Sequence, residues 1–112
     1  MFDTDKLVSE LTDRYAPCDR VEGTFMHYSF NHLMGYSAIY YTYMWSLVIA
    51  KDLFSEFEAH GAFNPKVAQR YRRAVLEAGG AKEAAKLVKD FLGRDYNFEA
   101  YGKWLGSPTG RR

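Results

Sequence analysis

The sequence predicts an all-α fold of about five helices, on three observations. Apolar side chains recur at helical spacing in five separate segments. Pro17, Gly61, Pro65, Gly79-Gly80 and Gly93 punctuate those segments with helix-stop and helix-start chemistry. No run alternates apolar and polar side chains as a half-buried strand would, although 20–30 could hold a short extended piece.

The first helix is expected over 3–15. Asp3 or Thr4 can cap it, Leu7, Val8, Leu11 and Tyr15 form its apolar stripe, and Ala16-Pro17 ends it. Residues 18–35 show no clean period and read as an irregular loop, of a length that is usually functional in a compact domain. The dominant element is one long buried central helix over about 36–60, ~37 Å long if fully helical. Its first half is apolar almost all round, which implies burial on every side. Its second half sets Leu53, Phe54 and Phe57 against Lys51, Asp52, Glu56 and Glu58. Gly61 suits the position just past a helix end, and His60 beside it favours the negative end of the helix dipole.

Asn64-Pro65 caps and starts a third helix, whose stripe is Val67, Tyr71, Val75 and Leu76. Gly79-Gly80 stops it. A fourth helix follows over 81–92, with Ala84, Leu87, Val88 and Phe91 facing inward, and Gly93 closes it. A fifth covers 97–105, with Phe98, Tyr101, Trp104 and Leu105 as its stripe. Together these make one helical domain over 1–106, followed by a flexible tail at 107–112.

Composition narrows the function classes. The 112 residues suit one domain. A net charge of +1, from 15 basic and 14 acidic side chains, offers no overall electrostatic case for nucleic acid or an anionic membrane. The most apolar stretch, 37–50, falls short of the roughly 20 residues that span a bilayer. No signal peptide is visible, and a single cysteine, Cys18, rules out an internal disulfide; both fit a reducing, cytoplasmic setting. Aromatic residues reach 17%, nine of them Tyr, which points to a wet cleft or an interface, because a buried phenol must find a hydrogen-bond partner.

Tyr36, Tyr40 and Tyr43 are spaced i, i+4, i+7. On a continuous helix they would share an arc of roughly 60°. They would stand at a helix start, directly after Gly35, which permits backbone angles that other residues resist. His32 lies four residues before Tyr36. One imidazole and three phenol hydroxyls near a helix N-terminus make a donor set for a polarised carbonyl or an oxyanion. An aromatic stripe at this spacing is also how a core is built, so spacing alone leaves both readings open. Tyr41 and Trp45 lie off the arc and are expected in the core.

The order Phe30, His32, Leu33, Gly35-Tyr36, Tyr40-Tyr41, Tyr43 and Trp45 resembles the C-terminal part of the thimet oligopeptidase family of zinc metallopeptidases. That family includes neurolysin, oligopeptidase A and peptidyl-dipeptidase. Supporting likenesses are Val21-Glu22-Gly23-Thr24, Phe63-Asn64-Pro65, Arg70-Tyr71-Arg72, Gly79-Gly80 and Phe91-Leu92-Gly93-Arg94. The resemblance spans about Leu7 to Leu105. Many members have Gly-Gly before the first tyrosine, where this chain has Met34-Gly35. The resemblance implies that His32, Gly35, Tyr36, Tyr40 and Tyr43 bind the peptide backbone of a substrate. It implies catalytic roles for Tyr43, whose hydroxyl would stabilise the oxyanion, and for Tyr36.

The family's zinc chemistry needs His-Glu-x-x-His on a helix. His27, His32 and His60 are the histidines of this sequence, and none is followed by Glu. Cys18, His27 and His32 lack standard zinc spacing, so no metal ligand is expected here. The expectation is a substrate-binding portion, inactive alone, whose partners are a peptide substrate and a missing zinc-bearing segment. Zinc belongs to the intact enzyme. The alternative is a non-catalytic helical interaction module that self-associates through an apolar face.

Overall fold

The computed structural model describes residues 2–107. They are helical with no strand among them, and the all-α expectation is met. The tail expected at 107–112 lies, apart from Ser107, outside the described residues. The chain divides into two compact units, with the boundary between Tyr40 and Tyr41.

The first unit opens with α1, Thr4–Tyr15. Asp3 is its cap: the carboxylate accepts the Lys6 amide at 3.0 Å, satisfying one of the amides that a helix start leaves open. None of its residues is fully buried, so the Leu7–Leu11–Tyr15 stripe stays largely exposed. Next come a short 3₁₀ turn, Met26–Tyr28, the four-residue α2, His32–Gly35, and a second 3₁₀ turn, Ser37–Ile39. The extended piece allowed for at 20–30 does not form, and backbone hydrogen bonds there close turns instead.

The second unit holds α3, Thr42–His60; α4, Pro65–Tyr71; α5, Ala84–Leu92; and α6, Glu99–Gly106. The long helix therefore starts at Thr42, not near Tyr36. Its expected burial on every side is also not found. Val48 and Asp52 are its fully buried residues, while Tyr43, Met44, Trp45 and Phe54 are substantially exposed. Gly61 ends it at φ 98, a conformation that favours glycine. The Asn64 side chain accepts the Lys66 amide at 3.0 Å and caps α4, with Pro65 in its first turn as expected. From Arg72 to Leu76 the helix loosens into a π-turn, and Gly79–Ala81 forms a 3₁₀ turn, so α5 begins at Ala84. Gly93 closes α5 in the left-handed region at φ 72.

The core of this unit is small. Val48, Val67, Val88 and Phe91 are buried, and Phe91 is the centre. Its ring stacks on Phe57 at 6.0 Å and meets Tyr71 edge-on at 5.3 Å. The Arg70 guanidinium sits 4.9 Å above it. Trp45 packs edge-on against Tyr96 and Phe98, both at 5.7 Å, but at 42% exposed it lies at the surface and not in the core where it was expected. Tyr41 is 63% exposed and belongs to no core.

Asp52, 1% exposed, is the buried charged side chain among the described residues. Arg94 reaches it from the α5–α6 connection with two N–H groups, at 2.9 and 2.6 Å, and the Asn97 amide adds a third bond at 2.9 Å. A fork-on-carboxylate pair of this kind satisfies the buried oxygens and ties the C-terminal connection to α3. The hydrogen bonds from Arg94 hold the Asp52 carboxyl below its ordinary range.

Candidate functional site

Four rings gather in the first unit, all from residues before the unit boundary. Phe30 lies 5.3 Å from the His32 ring and 4.9 Å, edge-on, from Tyr40. His32 stacks on Tyr36 at 5.9 Å and lies 5.5 Å from Tyr40. Tyr36 and Tyr40 meet edge-on at 6.2 Å. Separations and tilts like these are the favoured ones for aromatic pairs. The cluster thus combines one imidazole and two phenols on a hydrocarbon floor supplied by Phe30.

The route to this arrangement differs from the expected one. Tyr36 and Tyr40 do not stand on α3 and share no helical arc with Tyr43. Tyr36 instead closes α2, its amide bonded to the His32 carbonyl at 2.7 Å, and Tyr40 follows the second 3₁₀ turn. Between them Ser37 takes φ 50, the left-handed region that a side chain resists. That single residue breaks the helix and bends the chain, which lets Tyr36 and Tyr40 both pack against His32. Tyr43 lies in the second unit, in the first turn of α3, and its side chain is about half exposed.

Gly35 also behaves differently from expectation. It is the last residue of α2, with no positive φ, and a Cβ built on it would meet nothing within 4 Å. The unusual backbone is at Ser37, and the space around the Cβ position of Gly35 is open. Sequence reasoning did not single out Ser37, because serine carries no left-handed signal. It also left Phe30 without a site role, although its two-residue spacing from His32 could have suggested one.

Upstream of the rings, Asp5 of α1 accepts two hydrogen bonds, one from His27 Nε2 and one from the Tyr28 hydroxyl, both at 2.7 Å. The bond from Tyr28, followed by that from His27, holds the Asp5 carboxyl below its ordinary value, and Asp5 in turn raises the Tyr28 phenol. Neither Asp5 nor His27 was expected to matter.

Several charged side chains elsewhere form ion pairs. Arg70 pairs with Glu56, and Arg72 with Glu77 at 3.2 Å, so the Arg70–Arg73 cluster reads as a solvated helix face. His60 Nδ1 bonds the Glu56 carbonyl at 2.9 Å, capping the end of α3. Cys18 is an exposed thiol. Among the described residues no group of three or more His, Cys, Asp or Glu could hold a metal ion. Among them, too, no helix is long and apolar enough to cross a membrane.

Known proteins are similar to this sequence. The model of peptidase family M3 matches residues 1–107. Oligopeptidase A of Escherichia coli (strain K12) is 41% identical over 80 residues, covering 70% of this chain and 12% of that protein. Organellar oligopeptidase A, chloroplastic/mitochondrial, of Arabidopsis thaliana is 37% identical over 101 residues, covering 85% of this chain and 12% of its own length. Mitochondrial intermediate peptidase of Mus musculus is 32% identical over 89 residues, covering 80% and 12%. The chain therefore spans about an eighth of the length of these relatives.

Proposed function

This chain belongs to peptidase family M3, and on that premise we propose that it is the substrate-binding C-terminal portion of a zinc metallo-oligopeptidase. The ring cluster carries the proposal. His32, Tyr36 and Tyr40, which the family resemblance singles out for the peptide backbone, pack within 6.2 Å of one another, ring to ring.

Each residue has a chemical part. His32, Tyr36 and Tyr40 offer hydrogen-bond donors and acceptors to the carbonyls and amides of an extended peptide, and Phe30 gives their rings a dry backing. Gly35 leaves room for that backbone to approach. Tyr43 donates its hydroxyl to the oxyanion that develops on the scissile carbonyl, and Tyr36 assists. Donors of this type are worth about 10²–10³ in kcat. Zinc, when bound in the intact enzyme, activates the attacking water. The described residues do not fit that metal, so the zinc and its ligands belong to a separate segment, and the work of this chain is to bind and orient the peptide. Residues 1–106 act there as one domain. The lone exposed Cys18 suits a reducing compartment such as the cytoplasm.

The test is reconstitution. The chain alone should leave peptides intact. Combined with a segment bearing His-Glu-x-x-His, it should give peptide hydrolysis. In that complex Tyr43→Phe should lower kcat by roughly 10²-fold with little change in KM. His32→Ala should instead raise KM. Reconstituted activity indifferent to Tyr43→Phe would end the catalytic assignment of that hydroxyl.

A second reading, a non-catalytic module that self-associates, has one observation in its favour. Tyr43, Met44, Trp45 and Phe54 leave α3 with much exposed apolar surface. Sedimentation of a stable monomer that binds no hydrophobic dye would remove it.

A further inference from the structure

The Asp5 cluster and the ring cluster lie on one continuous piece of backbone. Starting at the Phe25 carbonyl, successive turns are closed by Tyr28 N–H to Phe25 O at 3.1 Å, Ser29 to Met26 at 3.2 Å and Asn31 to Ser29 at 3.1 Å. Leu33 to Phe30 at 3.0 Å, Met34 to Asn31 at 3.0 Å and Tyr36 to His32 at 2.7 Å continue the series. Overlapping turns thus run from the residues that Asp5 holds to His32 and Tyr36. Phe25 stacks on Tyr28 at 5.5 Å and stiffens the first of these turns.

We propose that Asp5 is a latch: by holding His27 and Tyr28 against α1 it positions the Phe30–His32–Tyr36–Tyr40 cluster for peptide. Asp5 and His27 are thus positioning residues. The inference rests on the peptide-binding reading of the ring cluster. An ionised carboxylate can only accept, so the Nε2 nitrogen of His27 carries a proton that points at Asp5. Its Nδ1 is buried without a hydrogen-bond partner, beside a cavity of about 190 Å³ that Ser9, Arg20 and Thr24 also line. No partner on Nδ1 therefore pulls the ring away from Asp5. Covering α1 residues at this point are Asp5, Val8 and Ser9, and Arg20 is the cation facing the same cavity.

Nuclear magnetic resonance on the full chain tests this. The imidazole nitrogen shifts of wild-type His27 at neutral pH should show a proton on Nε2, and a ring protonated at Nδ1 alone would overturn the latch. Tyr28→Phe removes one of the two bonds and leaves the aromatic packing. It should move the amide resonances of 31–36 and speed exchange of the Tyr36 amide about fivefold, the factor that one lost net hydrogen bond corresponds to. Asp5→Asn should act in the same direction with a larger effect. Glu77→Gln, whose carboxylate pairs with Arg72 in the second unit, should leave those amides unmoved. Shifts confined to 25–29 in both Tyr28→Phe and Asp5→Asn would overturn the proposal, because the latch would then hold only its own turn. Should Asp5→Asn fail to fold, Tyr28→Phe decides alone. Adding an acetylated, amidated alanine-rich peptide separates the two ideas. Shifts at His32 in wild type that shrink in Tyr28→Phe support positioning for peptide. A moving cluster whose His32 ignores the peptide sinks the peptide-binding reading and leaves only a structural latch.

Discussion

The left-handed backbone sits at Ser37 and not at Gly35, and that has measurable consequences. Gly35 has an ordinary helical backbone and open space at its Cβ position. Gly35→Ala should therefore keep or raise thermal stability, by up to ~1 kcal/mol on helix propensity. If the same variant weakens peptide binding in the reconstituted enzyme, the glycine serves the ligand and not the fold. Ser37 holds φ 50 at a cost, and Ser37→Gly should relieve it and raise stability by about 0.5–1 kcal/mol in denaturant titrations. Asp52 gives the clearest pH effect. Its folded-state pKa is depressed, chiefly by Arg94, below the ordinary 3.8. Its contribution to stability is thus present above that value and is lost as pH falls through the lower folded-state value. Denaturation measured from pH 7 downward should show wild type weakening below about pH 4. Asp52→Asn should start less stable and lose less over that range. Arg94→Ala leaves a buried carboxylate with the Asn97 amide alone, and should cost ~3 kcal/mol, near the low end because Arg94 is partly exposed.

Among the elements, α3 shows best how packing and propensity divide the work. Apolar spacing alone carries a helix from Tyr36 to His60, and no glycine or proline interrupts it. The chain nevertheless delays the helix to Thr42, because four aromatic rings pack together when Ser37 bends the backbone. From Thr42 onward nothing competes, and the helix runs to the Gly61 stop. The α5 helix behaves more simply. Its inward residues Val88 and Phe91 were legible from spacing, and both are buried. Ala84 of the same stripe is exposed, since α5 only begins there. Phe91 touches Phe57, Tyr71 and Arg70 at once, so Phe91→Ala should cost ~3–5 kcal/mol. In so small a core that loss should unfold the second unit, seen as a lost near-ultraviolet circular dichroism signal.

At the scale of the whole molecule, the surface is notably apolar. The chain spans about an eighth of the length of its relatives, and its apolar side chains are far from fully covered. Leu7, Leu11, Met44, Phe54, Phe63 and Leu76 are all substantially exposed. If the proposed zinc-bearing segment docks through such surface, this chain should gain stability on mixing. The melting temperature of this chain should rise when that segment is added, and hydrophobic-dye binding should fall in parallel. An unchanged melting temperature alongside unchanged dye binding would count against that partner.

The sequence by itself determined the helical class, the Asn64 cap with Pro65 behind it, the stops at Gly61 and Gly93, and the family. These depend on local spacing and on residue chemistry, which a linear pattern records directly. Tertiary structure alone decided that Tyr36 and Tyr40 leave α3, that the strain sits at Ser37, that Arg94 reaches Asp52 across 42 positions, and that Asp5 holds His27 and Tyr28. Each of these turns on residues far apart in the chain or on a backbone angle set by packing. Neither leaves a period in the sequence.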